Sequence, residues 1–302
     1  SFGTKQQVLL SNASNDFSKT VGGTLGGSVG ITGAAVSVTD VNDLVLGETT
    51  TTGNYTVLAG GGITDSGVLD VAGTSTFTAG NGEAIILDQV NAASQSVHDF
   101  SGGLTFAASP GNLAGLTVYA VGDITLAAFT LVANGALSGD LSIQSGRVAQ
   151  TGAWVIPGTT TISAGNTNIT LDNAANNFGG AVSVIGQDVE LKDATDGIVL
   201  GTSTVRGNYT VTATAGGDIT DSGVLTIDGV ATFKAASGQS IYLNESNTFS
   251  STTPVAFTTP SGNLANVTIT DTTGFDLQVL TLSGNLDVTS GGSITQSGGG
   301  AL

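Results

Sequence analysis

Apolar and polar residues alternate along this chain in short runs. Tyr55 and Val57, Ile63, Leu69 and Val71, Phe77, then Ile85 and Leu87 carry the pattern through one stretch. Gly, Asn, Asp or Ser separates the runs. A period of two puts every second side chain on the same face of a strand, and turn residues at regular spacing between short strands indicate an all-β chain. No segment sustains a 3.6-residue apolar period, so essentially no α-helix is expected beyond one turn at residues 91–95.

The strands recur in copies. GNYTVLAGGGITDSG at 53–67 returns as GNYTVTATAGGDITDSG at 207–223 and as GNLDVTSGGSITQSG at 284–298, with a looser copy, GDLSIQSGRVAQTG, at 139–152. The first glycines lie 86, 68 and 77 residues apart (139−53, 207−139, 284−207). Phe17, Phe100, Phe178 and Phe249 keep the same beat, and ITDSGVL at 63–69 is repeated identically at 219–225, 156 residues later (219−63). Every second copy matches best. Repeats of this kind are the signature of a solenoid, in which each turn is supported by its neighbours and insertions emerge as loops. The expectation is a parallel β-helix (β-solenoid) over residues 1–302. Its internal repeats are 1–52 (partial), 53–138, 139–206, 207–283 and 284–302 (partial). With rungs of roughly 19–26 residues and two or three strands each, it would hold about 12–15 rungs. Ile63, Ile219, Phe77 and Phe233 should point inward, and Phe17 and Phe178 should be interior or nearly so. Gly and Asn belong at corners, with stacked Asn forming ladders. A glycine-rich insertion is expected in the first copy, between 20 and 30. The strand that should follow Gly298 breaks off, so the last rung is expected to dock on further rungs or on the next subunit.

Composition narrows the class. The chain has 302 residues, 46 of them Gly and only 4 Pro, with 39% hydrophobic and 10% charged residues. That balance is opposite to the one that keeps chains disordered. Six basic against 23 acidic residues give a net charge of −17, which makes nucleic acid and anionic lipid surfaces poor partners. There is no Cys, hence neither disulfide nor thiol chemistry. No apolar run approaches the ~18 residues of a membrane-spanning helix.

Two longer stretches have a familiar texture: GNYTV…GGDITDSGVLTIDGVATFKA…IYLNESNTF, and ITLDNAANNFGGAVSVIGQDVELKDATDGIVLGTSTVRGNYTV. From about residue 13 to 302 the chain resembles the repeat arrays of filamentous-haemagglutinin-like giant bacterial surface adhesins. The resemblance implies a right-handed parallel β-helix, exported to the cell surface or beyond, that acts as a rigid stalk or fibre or as an adhesin. It implies no catalytic, cofactor-binding or metal-binding residues. Implied partners are the protein itself, stacked end to end, and glycans or proteins of a host or neighbouring cell. A self-assembling extracellular filament or sheath is the first alternative, and a polysaccharide lyase or hydrolase on the same fold is the second.

Asp218 and Asp221 form the best carboxylate pair, but only one of the two recurs in the first copy (Gly62, Asp65), which points to turn residues. Asp188, Glu190, Asp193 and Asp196 could hold calcium weakly at the surface, although a solvated strand face beside Lys192 explains them as well. His98 has no second histidine to form a metal site or triad with, and reads as a surface loop residue. The N-x-S/T strings at Asn12, Asn54, Asn168, Asn208, Asn244 and Asn266 follow from composition. Thr runs at 49–52 and 159–161 raise an ice-binding face, but they do not recur at one phase.

Overall fold

A computed structural model describes residues 6–17, 27–250 and 252–296. It is all-β, with no helix among the described residues, and its parallel strands stack as a β-solenoid of about 12 turns. The chain forms two compact units, residues 1–146 and 147–302.

In the first unit a turn has three sides. Tyr55–Ala59, Ile63–Asp65 and Leu69–Val71 make one complete circuit. Each side pairs in parallel with the same side of the next turn. Val36 faces Tyr55, Tyr55 faces Ser75, and Ser75 faces Leu104. Those partners lie 19, 20 and 29 residues apart (55−36, 75−55, 104−75). In the second unit Val189, Tyr209, Ala231 and Val255 follow one another at 20, 22 and 24 residues (209−189, 231−209, 255−231).

A turn longer than the expected rung, from Ser75 to Leu104, contains residues 91–95. They form no helical turn. Val90 and Ser96 bridge in antiparallel fashion, and Ser94 takes a left-handed φ of 58°. The Asn91 side chain closes the loop by accepting the amides of Ala93 and Gln95. A side chain that bonds its own backbone two and four residues on competes with the helix, and here it wins.

Period-two alternation sets the core. Ile63, Ile219, Phe77 and Phe233 are all wholly buried. Tyr55 and Phe77 meet edge to face at 5.8 Å, and Phe77 lies stacked on Phe106 at 5.8 Å. The second unit repeats this column with Tyr209, Phe233 and Phe257 at 6.1 and 5.9 Å. Phe178 is buried and Phe17 half-buried.

Corners hold the turns in register. Asn168 Oδ1 accepts the Asp188 amide, Asp188 Oδ1 accepts the Asn208 amide, and Asn208 Oδ1 accepts the Val230 amide. The expected ladder therefore exists, but it runs from side chain to the backbone of the next turn, and Asp serves in it as well as Asn. Gly53, Gly73 and Gly102 form a column where successive corners nearly touch. A Cβ on Gly73 would lie 2.4 Å from the Gly53 carbonyl carbon, and one on Gly102 2.2 Å from that of Gly73.

The copies do not correspond to whole turns. In the first unit the strand opening one copy, Tyr55–Ala59, lies in the sheet of Val36–Asp40 and Ser75–Ala79, whereas the strand opening the next, Asp140–Gln144, lies in the sheet of Gly115–Tyr119. In the second unit Tyr209–Ala213 and Leu286–Ser290 likewise lie on different sides. Within each unit, consecutive copies thus begin on different sides of the solenoid. Most of the expected insertion at 20–30, and the edge after Gly298, fall outside the described residues.

Candidate functional site

Two residues before each landmark phenylalanine stands Asn15, His98, Asn176 or Asn247. Asn247 shows what this position does. Its Oδ1 accepts the Leu225 amide at 2.8 Å and its Nδ2 donates to Asp221 Oδ2 at 2.7 Å. Asn176 repeats the arrangement, accepting from the Trp154 amide at 2.9 Å and donating to Gln150 Oε1 at 2.8 Å.

His98 occupies the same place and is not on the surface. It is wholly buried, its Nδ1 accepts the Leu69 amide at 3.1 Å, and its Nε2 lies 3.2 Å from Asp65 Oδ2. That contact is close but poorly aligned for a hydrogen bond. An accepting Nδ1 leaves the proton on Nε2, so the imidazole presents the acceptor and donor of an asparagine side chain. An Asp–His pair suggests a hydrolytic triad, but a triad needs its nucleophile on the second nitrogen. Here that nitrogen is already bonded to Leu69. The reading of His98 as a loop residue fails because its isolation from other histidines says nothing about burial. The signal that could have found it was its place two residues before Phe100.

The landmark phenylalanines have a second anchor. Asp40, Asp193 and Asp271 are buried at strand ends. Their Oδ2 atoms accept the amides of Phe17, Phe178 and Phe249 at 2.7, 2.8 and 2.7 Å. Their Oδ1 atoms accept the amides two residues on, Asn42, Thr195 and Thr273, at 2.9, 2.9 and 2.7 Å. Burial pushes the Asp193 carboxyl above its usual range; the Phe178 and Thr195 amides pull it back, and the Asp196 carboxylate adds to the rise. The core also holds two phenols. Tyr55 and Tyr209 lie beside the Thr49 and Ser203 hydroxyls. Burial pushes Tyr55 up to about 12, against the opposing pull of Thr49, and raises Tyr209 further still.

The other candidates disperse. Asp218 Oδ1 accepts the Ser240 amide, while Asp221 accepts the amides of Asn244 and Glu245 and the Asn247 side chain. Both join one turn to the next, where simple turn closure was expected. Of the acidic group, Glu190 and Asp196 are exposed, Asp188 sits in the corner ladder, and Asp193 is core, so the solvated face is only partly one. No cluster of three or more His, Asp or Glu suited to a metal ion occurs among the described residues. Thr49, Thr51 and Thr160 point inward. Asn54, Asn168, Asn208 and Asn266 accept amides of the following turn, and Asn12 accepts the Ser14 amide of its own turn.

One copy departs from the rest. The residue equivalent to Asp40, Asp193 and Asp271 is Ala120. The backbone there is the same. The Val121 amide donates to the His98 carbonyl at 2.8 Å, as Val41 donates to Asn15, Ala194 to Asn176 and Thr272 to Asn247 at 2.8–2.9 Å. Beside Ala120 a cleft of about 440 Å³ opens, lined in part by Phe100 and Gly122, with Asp99, Ser101 and Asp123 at its exposed rim.

Comparison with known proteins agrees with the repeat structure. A family profile described as "Repeats of unknown function (DUF5649)" matches residues 33–107, 116–185, 186–256 and 264–302. No curated protein and no solved structure matches the chain. With four matched segments covering most of its length, the chain belongs to the DUF5649 family of repeats of unknown function.

Proposed function

We propose that this repeat array is a spacing module of an exported bacterial surface protein of the filamentous-haemagglutinin-like kind. It would hold other parts of its polypeptide away from the cell, toward glycans or proteins of a host or neighbour. One observation carries the reading. The polar side chains that the sequence repeats, from the corner Asn and Asp to Asp40, Asp193 and Asp271, bond the backbone of an adjacent turn. Selection on the repeated positions thus favours continuity of the stack. The net charge of −17 supports the same reading, because like-charged arrays resist nonspecific adhesion to one another. Antibodies raised against the 302-residue chain are expected to label intact, unpermeabilised cells of the source organism. Labelling that appears only after lysis would overturn the proposal.

A further inference from the structure

We propose that the cleft at Ala120 binds the carboxylate of a small zwitterion of the α-amino-acid type, in the place where the sister copies carry their own aspartate. In those copies one carboxylate receives two backbone amides, that of the phenylalanine and that of the residue two beyond the aspartate, all at 2.7–2.9 Å. The equivalent donors here are the amides of Phe100 and Gly122. With alanine at 120 they lose that shared acceptor, and no other protein acceptor for either occurs among the described residues. Both residues border the cleft. Two convergent amides form an anion seat, and a carboxylate accepting both makes charge-assisted bonds.

The size of the cleft, about 440 Å³, lies in the range of small-molecule sites. Its rim selects among anions. Asp99 and Asp123 are exposed there, on a chain of net charge −17, and this negative field repels a simple anion. A ligand that brings an ammonium group with its carboxylate meets the Phe100 and Gly122 amides and the acidic rim together. Side-chain hydroxyls such as Ser101, which donates to Asp99 Oδ1 at 2.7 Å, complete the polar mouth.

The test is an amide-resolved NMR titration of the intact chain with glycine, acetate and ethylamine. Glycine is expected to shift the Phe100 and Gly122 amides saturably, acetate to bind at least tenfold more weakly, and ethylamine to leave both amides in place. Ala120→Asp supplies the carboxylate internally. It should abolish the glycine response and keep or raise Tm, although a new aspartate at a residue only 4% exposed would ordinarily lower it. Ala120→Leu, which fills the cleft without a charge, should also abolish the response. Absence of a saturable glycine shift in the parent chain overturns the proposal. So does acetate binding as tightly as glycine, an unchanged response in either variant, or a lower Tm for Ala120→Asp.

Discussion

His98 stands where the other copies have Asn15, Asn176 and Asn247, and its two nitrogens reproduce the amide's acceptor and donor. His98→Asn is therefore expected to keep the fold with Tm close to the parent's. His98→Leu leaves the buried Leu69 amide without its acceptor, removes the ring N–H that faces Asp65 Oδ2, and should cost about 3 kcal/mol in denaturant unfolding. Equal stability of the two variants would show that the polar pairing contributes nothing. Asp193 makes a prediction about pH. Its carboxyl is held above the usual range in the folded chain, so the folded state binds the proton more tightly than the unfolded one. Stability from this group is then greatest below the unfolded value of 3.8 and falls as pH rises through the raised folded value. Stability measured from pH 3 upward should decline over that window in the parent and decline less in Asp193→Asn. The substitution also leaves one of the Phe178 and Thr195 amides facing an NH2 group, so the variant should be weaker overall.

Strand existence and the inward face were legible because a period of two survives any drift in loop length. Ile63 and Phe77, and their later counterparts Ile219 and Phe233, lie where alternation puts them. The same parity places Asp193 inward with Val189 and Leu191. A charged side chain nevertheless reads as solvent-facing unless two backbone amides are known to await it, and one of them, that of Phe178, belongs to a different strand. The spacing from Phe17 to Asp40 is 23 residues and from Phe178 to Asp193 only 15 (40−17, 193−178), so no fixed interval reveals the bond. Register between turns decides it, and loop length hides register. The cleft was illegible for a related reason. Ala120 is an unremarked alanine until its turn is laid against the three that carry aspartate. The expected helical turn at 91–95 does not form because Asn91 organises the segment by bonding its own backbone.

For the molecule as a whole, the identical ITDSGVL segments mark places where the chain can be shortened without changing which side a strand occupies. Removing residues 63–218 joins Gly62 to Ile219 and takes out 156 residues (219−63), so that Ile219–Asp221 follows Tyr55–Ala59 as Ile63–Asp65 did. That shortened chain is expected to keep a β-type circular dichroism spectrum and a cooperative melt. Removing residues 53–138, a single copy, places Asp140–Gln144 where Tyr55–Ala59 stood, on a side it does not occupy in the fold, and should lose the cooperative melt. Similar melts for both deletions would show that the sides are interchangeable. The offset between copies also bears on how such genes change length. Unequal crossing-over between neighbouring copies would yield an array whose strands are out of phase with the turns they enter. Exchange between alternate copies leaves the phase intact. Inherited length variants of these arrays should therefore differ by pairs of copies, so that a duplication of two is the smallest mutation the fold can inherit.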